Sequence, residues 1–424
     1  MPKPLPITAI SNALEVERVN NQRPTCTSPS LSLLQAYDSP YRGPQLHFHP
    51  ERLEQQLGQF KRLLPDVHPH FAVKANPAIP LLKQLQRLGV DFEIASEGER
   101  ELLRDLNVEP HKIVYSNPIK SAESIQRAYQ QGVRWFAFDS QEELEKLHRY
   151  APNGHYELRI ALPKPAVDED AALWPLREKF GLPSSDVPTL LDYAAKHALP
   201  VQGVTFHVGS QCLQASAWQM AIAQSKAVIK EMRQRGLSPT LLNIGGGLPI
   251  NYSAAGRSSK NNGYQQQLEA IAKTIRTELA TLPKHIEVIA EPGRFLAAPA
   301  CELICQVIST TCRQGQYWCY LDCGFYNGLM ELSVDFGYQL ISLRAGPSRQ
   351  WVVAGPTCDS VDTFTPRYQL PLDTQAGDLI SIPNTGAYVY GCANRFNGFP
   401  TPTFIGLARP NEPHQASCGI QAYT

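Results

Sequence analysis

The sequence predicts an α/β protein: a (β/α)8 barrel followed by a β domain. Three observations carry this. From Gln45 to about residue 296, short apolar, β-rich runs alternate with longer amphipathic stretches. Polar or glycine-rich signals recur at the end of nearly every apolar run. After residue 296 the helical stretches vanish and short strands follow one another. Strand–helix alternation at this spacing means parallel βα units. About eight strands over about 250 residues suit a closed barrel. A doubly wound open sheet would gather its polar loops at one switch point, and here they recur all round the series.

The elements follow in order. Residues 1–43 are Pro- and Ser-rich and read as an arm or entry strand, not a domain. The barrel is expected over 44–296, with apolar runs at 46–48, 70–73, 92–95, 113–115, 135–138, 156–161, 203–207, 241–244 and 286–290. Amphipathic stretches separate them. The β domain is expected over 297–424, with strands near 303–310, 317–321, 339–343, 350–354, 379–383 and 403–407.

Composition narrows the function class. Hydrophobic content of 43% and charged content of 18% describe a folded globular chain. A formal net charge of zero argues against a nucleic-acid or anionic-membrane partner that depends on a basic field. No run approaches a membrane span, and the N-terminus lacks the apolar core of a signal peptide. The cytoplasm is the expected location. Ten cysteines show no CxxC, so free thiols are expected rather than disulfides or a metal site.

Residues just after barrel strands face the active site. Lys74 ends the apolar run Phe71-Ala72-Val73, where a buried cation is costly unless it pairs or reacts. Desolvation lowers an ammonium pKa and makes a lysine nucleophilic towards carbonyls. Gly245, Gly246 and Gly247 follow another strand and expose backbone N–H groups, as an anion nest would. Arg294 and Ser210 add phosphate ligands at neighbouring strand ends. A phosphate site, a strand-end lysine and a strand-end acid, Glu291, point to pyridoxal 5′-phosphate. Lys74 would form the Schiff base, Glu291 would pair with the ring nitrogen, and His207 would stack on the ring.

The motifs FAVKANP (71–77), FDSQEE (138–143), FHVGSQC (206–212), NIGGGLP (243–249), EPGRF (291–295), GPTCDSVD (355–362) and GAYVYGCANRFNGF (386–399) together resemble the fold-type III pyridoxal-phosphate decarboxylases. Within them the chain looks most like the ornithine/lysine decarboxylase branch. The resemblance implies an alanine-racemase-like barrel, a β domain that also uses the N-terminal arm, and a head-to-tail homodimer with shared active sites. It gives Lys74, Glu291 and His207 the roles above. It assigns the phosphate to Ser210, Gly245, Gly246, Gly247, Gly293, Arg294 and Tyr388. Glu93, Glu99 and Arg159 would orient Lys74 and Glu291. The second protomer would insert the GPTCD loop, where Cys358 protonates the α-carbon and Asp359 binds the distal amine of a small amino-acid substrate. Phe396 would line the pocket.

One departure bears on the substrate. This branch carries a second acid before a Gly-aromatic pair, and Cys323 stands there, with Asp322 one residue earlier. A shift of one flips a strand side chain to the other face. Losing a charge-assisted partner costs about 1.5–3 kcal/mol. This counts against plain ornithine and lysine, and leaves a modified substrate, such as a citryl conjugate in siderophore or antibiotic biosynthesis, as the alternative. The loop 163–177, with Trp174 and Arg177, is expected near the pocket mouth. Diaminopimelate decarboxylation is disfavoured: the late loop reads Cys358-Asp359-Ser360, and Met330 stands where that branch has arginine. Racemisation and a non-catalytic regulatory role are the competing classes.

Overall fold

The computed structural model describes residues 33, 36, 41–162, 179–252, 263–334, 336–365 and 367–406. The first described strand, β1 (Gln45–Phe48), leads into α1 (Pro50–Leu63). Eight strands then close a barrel: β2 (His68–Ala72), β3 (Asp91–Ile94), β4 (Ile113–Tyr115), β5 (Trp135–Phe138), β6 (His155–Arg159), β7 (Val201–Thr205), β8 (Leu241–Asn243) and β9 (Glu287–Ala290). Each pairs parallel with the next, and β9 closes on β2 through Ile289 and Ala290 opposite His68 and Pro69. The helices between them are α2 (Ile79–Arg87), α3 (Glu97–Asp105), α4 (Ala122–Gln130), α5 (Gln141–Tyr150), α6 (Val187–Lys196), α7 (Ala215–Gln234) and α8 (Tyr264–Leu279). A short α9 (Gly293–Ala297) follows β9.

Local chemistry explains these elements. In α1, Leu53, Leu57, Phe60 and Leu63 recur at helical spacing and are buried. Ser96, Ser121 and Ser140 each cap a helix by accepting the N–H three residues on. In the strands, alternation sends Phe92, Ile94, Phe136, Phe138, Tyr156 and Leu158 outward into the main core under the helices. The inward positions form a small apolar plug of Val114, Leu241 and Ile289 with Trp135 against it. Further along the strands the inward residues turn polar, at Glu93, Glu157 and Asn243, all buried. That polar layer is the floor of the site.

The β domain comprises β10 (Cys301–Arg313), β11 (Gln316–Leu321), β12 (Ile341–Ser342), β13 (Ser348–Ala354), β14 (Tyr368–Pro371), β15 (Leu379–Pro383) and β16 (Thr403–Gly406). The strand path is β12-β15-β10-β11-β13-β14, with β1 between β10 and β16. A register shift between Val307 and Ser309 bends β10. Its first half pairs with β1 and β15 and its second half with β11.

Three differences from the sequence reading are physical. β1, expected to begin the barrel, lies in the β domain, antiparallel to β10 and parallel to β16. Only Ile341–Ser342 of the expected 339–343 strand is paired. Tyr368–Pro371 is a strand that the flanking prolines disguise, and it sits at a sheet edge where proline is tolerated. Of the arm, Leu33, Ala36 and Tyr41 pack with Ile304, Leu379 and Leu343 of the β domain. The loop 163–177 lies outside the described residues. Among the described residues no helix is long and apolar enough to cross a membrane.

The two domains are joined at the mouth of the barrel. Buried Asn76 donates to the Gly386 carbonyl (2.8 Å) and accepts from the Ala78 N–H (3.0 Å). The Tyr388 N–H donates to the Ala75 carbonyl (2.8 Å). Asn76→Ala removes the partners of two buried backbone groups, so a loss of about 1–3 kcal/mol is expected, measurable by urea denaturation.

Candidate active site

Lys74 lies in a single 3-10 turn, Val73–Ala75, directly after β2. Its Nζ is 2.8 Å from Glu93 Oε2, with 45% of the lysine side chain open to the pocket and the glutamate fully enclosed. Burial pushes the Lys74 pKa down, but the carboxylates of Glu93 and Glu291 push it up further. The expected low-pKa lysine is therefore corrected: this amine is held as a cation. Burial drives Glu93 up to about 7 against the pull of Lys74. A second buried lysine, Lys120, is tied to Glu143 (2.9 Å) and to the carbonyls of Asn117 and Ala137. Lys120 has no exposed face, whereas Lys74 is open to the pocket.

Glu291 follows β9. Its Oε1 accepts from Ser116 Oγ and from Asn243 Nδ2, each at 2.7 Å. Burial alone would raise its pKa, but Lys74 and these two donors hold it below the ordinary value, as a carboxylate. His207, after β7, accepts the Gly246 N–H on Nδ1 (3.1 Å). Burial, then Arg159 and Lys74, push its pKa down to about 3, so the ring is neutral. Arg159 ends β6 with its guanidinium 4.9 Å from the Phe180 ring, and its charge supports Glu291 without a direct hydrogen bond among the described contacts.

Arg294 marks the other end. Its Nε donates to Ser210 Oγ (3.0 Å), and Nη1 donates to Tyr252 Oη (3.0 Å) and Glu331 Oε2 (2.9 Å). Nη2 donates to Glu331 Oε1. The Tyr388 ring lies 4.8 Å beneath the guanidinium. Lys74, His207, Ser210, Gly246, Gly247, Glu291, Gly293, Arg294 and Tyr388 line one pocket. A larger groove opens at the opposite end of the barrel, around Pro65, Arg276 and Lys284, but it holds none of this constellation.

A family model for the pyridoxal-binding domain of pyridoxal-dependent decarboxylases matches residues 51–298. The chain belongs to this family. It is 32% identical to the lysine/ornithine decarboxylase of Selenomonas ruminantium, over 85% of this chain and 88% of that one. The arginine decarboxylase of Paramecium bursaria Chlorella virus, solved with agmatine, superposes with a TM-score of 0.80 at 30% identity, covering 88% of this chain and 98% of that one. The chain is also 33% identical to antizyme inhibitor 2 of Xenopus laevis, over 83% of this chain and 78% of that one.

The pocket fits the family's cofactor, pyridoxal 5′-phosphate. It offers an amine for the aldehyde, a charged carboxylate for the ring nitrogen, a neutral imidazole for the ring face, and a guanidinium and hydroxyl for the phosphate. The glycines are required by space. A Cβ on Gly247 (φ +111°) would lie 2.4 Å from the Gly209 carbonyl, and one on Gly293 would lie 2.9 Å from Ala75 Cβ. The nest reading is corrected in part. The Gly245 N–H is spent on Asn243 Oδ1 (2.9 Å) and the Gly246 N–H on His207. These two glycines serve close approach instead: a Cβ on Gly245 would meet the Phe206 carbonyl at 2.1 Å.

Other assignments also change. Glu99 accepts from the Ala95 N–H (2.6 Å) while its own N–H donates to Ser96 Oγ (3.3 Å). It ties the start of α3 to Ala95 and makes no hydrogen bond to Lys74 or Glu291 among the described contacts. Cys323 is fully buried, with Sγ 3.7 Å from the Asn327 carbonyl and against Cys305 in the β-domain core. An acid there would face apolar packing, so its absence removes nothing from a substrate pocket. Asp322 points the other way, accepting from Tyr41 Oη (2.7 Å) and the Gln306 N–H (2.9 Å).

Cys358, Asp359 and Phe396 come together, but away from Lys74. The Cys358 N–H donates to Asn397 Oδ1 (3.0 Å), and Tyr326 Oη donates to Asp359 Oδ2 (2.5 Å). The Tyr326 and Phe396 rings are 4.3 Å apart. None of the three residues lines the Lys74 pocket.

The sequence reading passed over Ser116 and Asn243 as partners of Glu291, although both stand at strand ends. It also missed Glu331, which is buried against Arg294 and withdraws part of its charge from an incoming phosphate. Glu331→Gln keeps a hydrogen-bonding group and removes the anion. It is expected to tighten inorganic phosphate binding to the cofactor-free protein several-fold by calorimetry. Glu93→Gln removes the main upward pull on Lys74, so the Lys74 pKa is expected to fall, read by amine-labelling rate against pH.

Proposed function

We propose that this chain is a homodimeric decarboxylase that removes the α-carboxylate of a basic amino acid of the ornithine, lysine or arginine kind. The observation that carries the reading is the convergence of Lys74, Glu291 and Arg294 on one pocket, each suited to a different end of the cofactor. Bound pyridoxal 5′-phosphate supplies the electron sink for carbon–carbon cleavage. Lys74 would hold the cofactor through its amine. Glu291, a carboxylate, would hold a proton at the ring nitrogen. His207 covers one ring face and, being neutral, adds no second charge beside Arg159.

Cys358 returns a proton to the α-carbon, a role suited to an exposed thiol. Asp359 pairs with the distal cation of the substrate, and Phe396 gives the pocket an apolar wall. These three sit on the β domain outside the Lys74 pocket, which supports a head-to-tail dimer in which each protomer completes the other's site. The product is a basic amine, as in polyamine biosynthesis, in a cytoplasmic setting. With Cys323 turned into the core, the argument against a plain diamino acid falls away, and a citryl conjugate becomes the less favoured substrate.

Lys74→Ala is expected to abolish both turnover and the visible absorbance of the lysine-bound cofactor, and undiminished steady turnover would refute the assignment. Cys358→Ala is expected to impair α-carbon protonation more than CO2 release. Mixing Lys74→Ala with Cys358→Ala is expected to restore correctly protonated amine product through heterodimers, and no restoration would argue against shared sites. A panel of L- and D-diamino acids, arginine, diaminopimelate and citryl conjugates, read by product mass, tests the substrate class. Racemisation without CO2 release, or no lysine-bound cofactor at all, would overturn the function.

A further inference from the structure

Glu157 has no part in the reading above. It stands in the middle of β6, fully buried, on the same inward side as Arg159. Its register partner on β7 is Gly203, where a Cβ would come 2.8 Å from Glu157 Cβ. The neighbouring strand thus gives up a side chain to admit this one.

The contacts of Glu157 are those of Glu291. Ser116 Oγ is 3.2 Å from Glu157 Oε1 and donates to Glu291 Oε1 at 2.7 Å. Asn243 Nδ2 is 3.3 Å from Glu157 Oε2 and 2.7 Å from Glu291 Oε1. Two carboxyl groups therefore share two donors in a water-poor layer. The other ionisable groups facing them are His70 on β2, which burial keeps neutral, Glu93 on β3, Lys74 after β2, Arg159 on β6 and His207 after β7. Lys74 is taken by Glu93, His207 is neutral, and no ion pair to Glu157 is found among the described residues. Two like charges on one donor set oppose each other strongly, so one of the pair keeps its proton.

We propose that Glu157 is a positioning residue, held as a neutral carboxylic acid beneath Glu291, whose O–H donates to Ser116 Oγ and so fixes Glu291 as the anion facing the cofactor's ring nitrogen. The inference rests on the cofactor reading above. Ser116 has one proton and gives it to Glu291, so its oxygen is left to accept from Glu157. A concerted shift along this chain moves the Ser116 proton to Glu291 and the Glu157 proton to Ser116, leaving the charge on Glu157. Nothing else is gained or lost. Burial, then the charge of Glu291, push the Glu157 pKa up to about 8, so the arrangement holds at neutral pH and breaks in mild alkali.

The test begins on cofactor-free protein with isotope-labelled glutamate, by infrared spectroscopy. Wild type should show a protonated-carboxyl component that bleaches near pH 8 and is lost in Glu157→Gln, whereas the Glu93 component, which bleaches near pH 7, stays. With pyridoxal 5′-phosphate loaded, wild type should show an alkaline step in the visible spectrum over the same range, which Glu157→Gln lacks. If Glu157→Gln does not fold, Ser116→Ala retains the acid but removes the acceptor of its O–H, and should move the step to lower pH. A component bleaching near pH 8 that persists in Glu157→Gln, an alkaline step unchanged in it, or a step that Ser116→Ala leaves in place or raises would overturn the proposal. The infrared result needs neither cofactor nor substrate, so it stands or falls separately from decarboxylation.

Discussion

The charge balance inside the barrel governs the site. Glu93, Glu157 and Glu291 point into one buried layer with Lys74 and Arg159 as the cations there. A buried charge survives only when paired or well hydrogen-bonded. Lys74 neutralises Glu93, and Ser116 and Asn243 solvate Glu291. Each of these groups arrives from a different strand, so the layer is assembled only when the barrel closes. Chemistry and fold are for this reason inseparable: the residues that would activate a cofactor are the ones whose misplacement would leave a naked charge in the interior.

The β domain takes part in that balance. Glu331 reaches from it to Arg294, Gly386 accepts from Asn76, and Tyr388 both hydrogen-bonds Ala75 and underlies Arg294. The Arg294 end of the pocket is therefore built by both domains, whereas the Lys74 end belongs to the barrel. The Cys358–Asp359 loop is a third component, displayed on the β domain with its acid already oriented by Tyr326.

The barrel was legible in the sequence because its signals are local. Each strand end carries a turn or polar marker, and each helix shows its own apolar stripe or serine cap. Lys74, Glu291 and His207 stood out for the same reason, since each follows an apolar run directly, and Arg294 comes three residues after Glu291. What escaped depends on distance in the chain. Nothing near Gln45–Phe48 says that its neighbours are β10 and β16. Nothing near Cys323 says that it packs on Cys305. Glu331 lies in a segment without periodicity, so its bond to Arg294 was invisible. Glu157 left a trace: alternation along His155–Arg159 puts it on the side of Arg159.

The position of β1 has a consequence for biogenesis. Phe48 pairs with Cys301 and Leu46 with Phe404, so the strand that emerges before the barrel waits for partners synthesised about 250 residues later or more. The barrel is in effect an insertion whose two ends are clasped by one sheet. On a ribosome, β1 would emerge as an unpaired edge until the insertion had folded and brought β10 alongside. The second domain is in this sense begun before the barrel and completed after it.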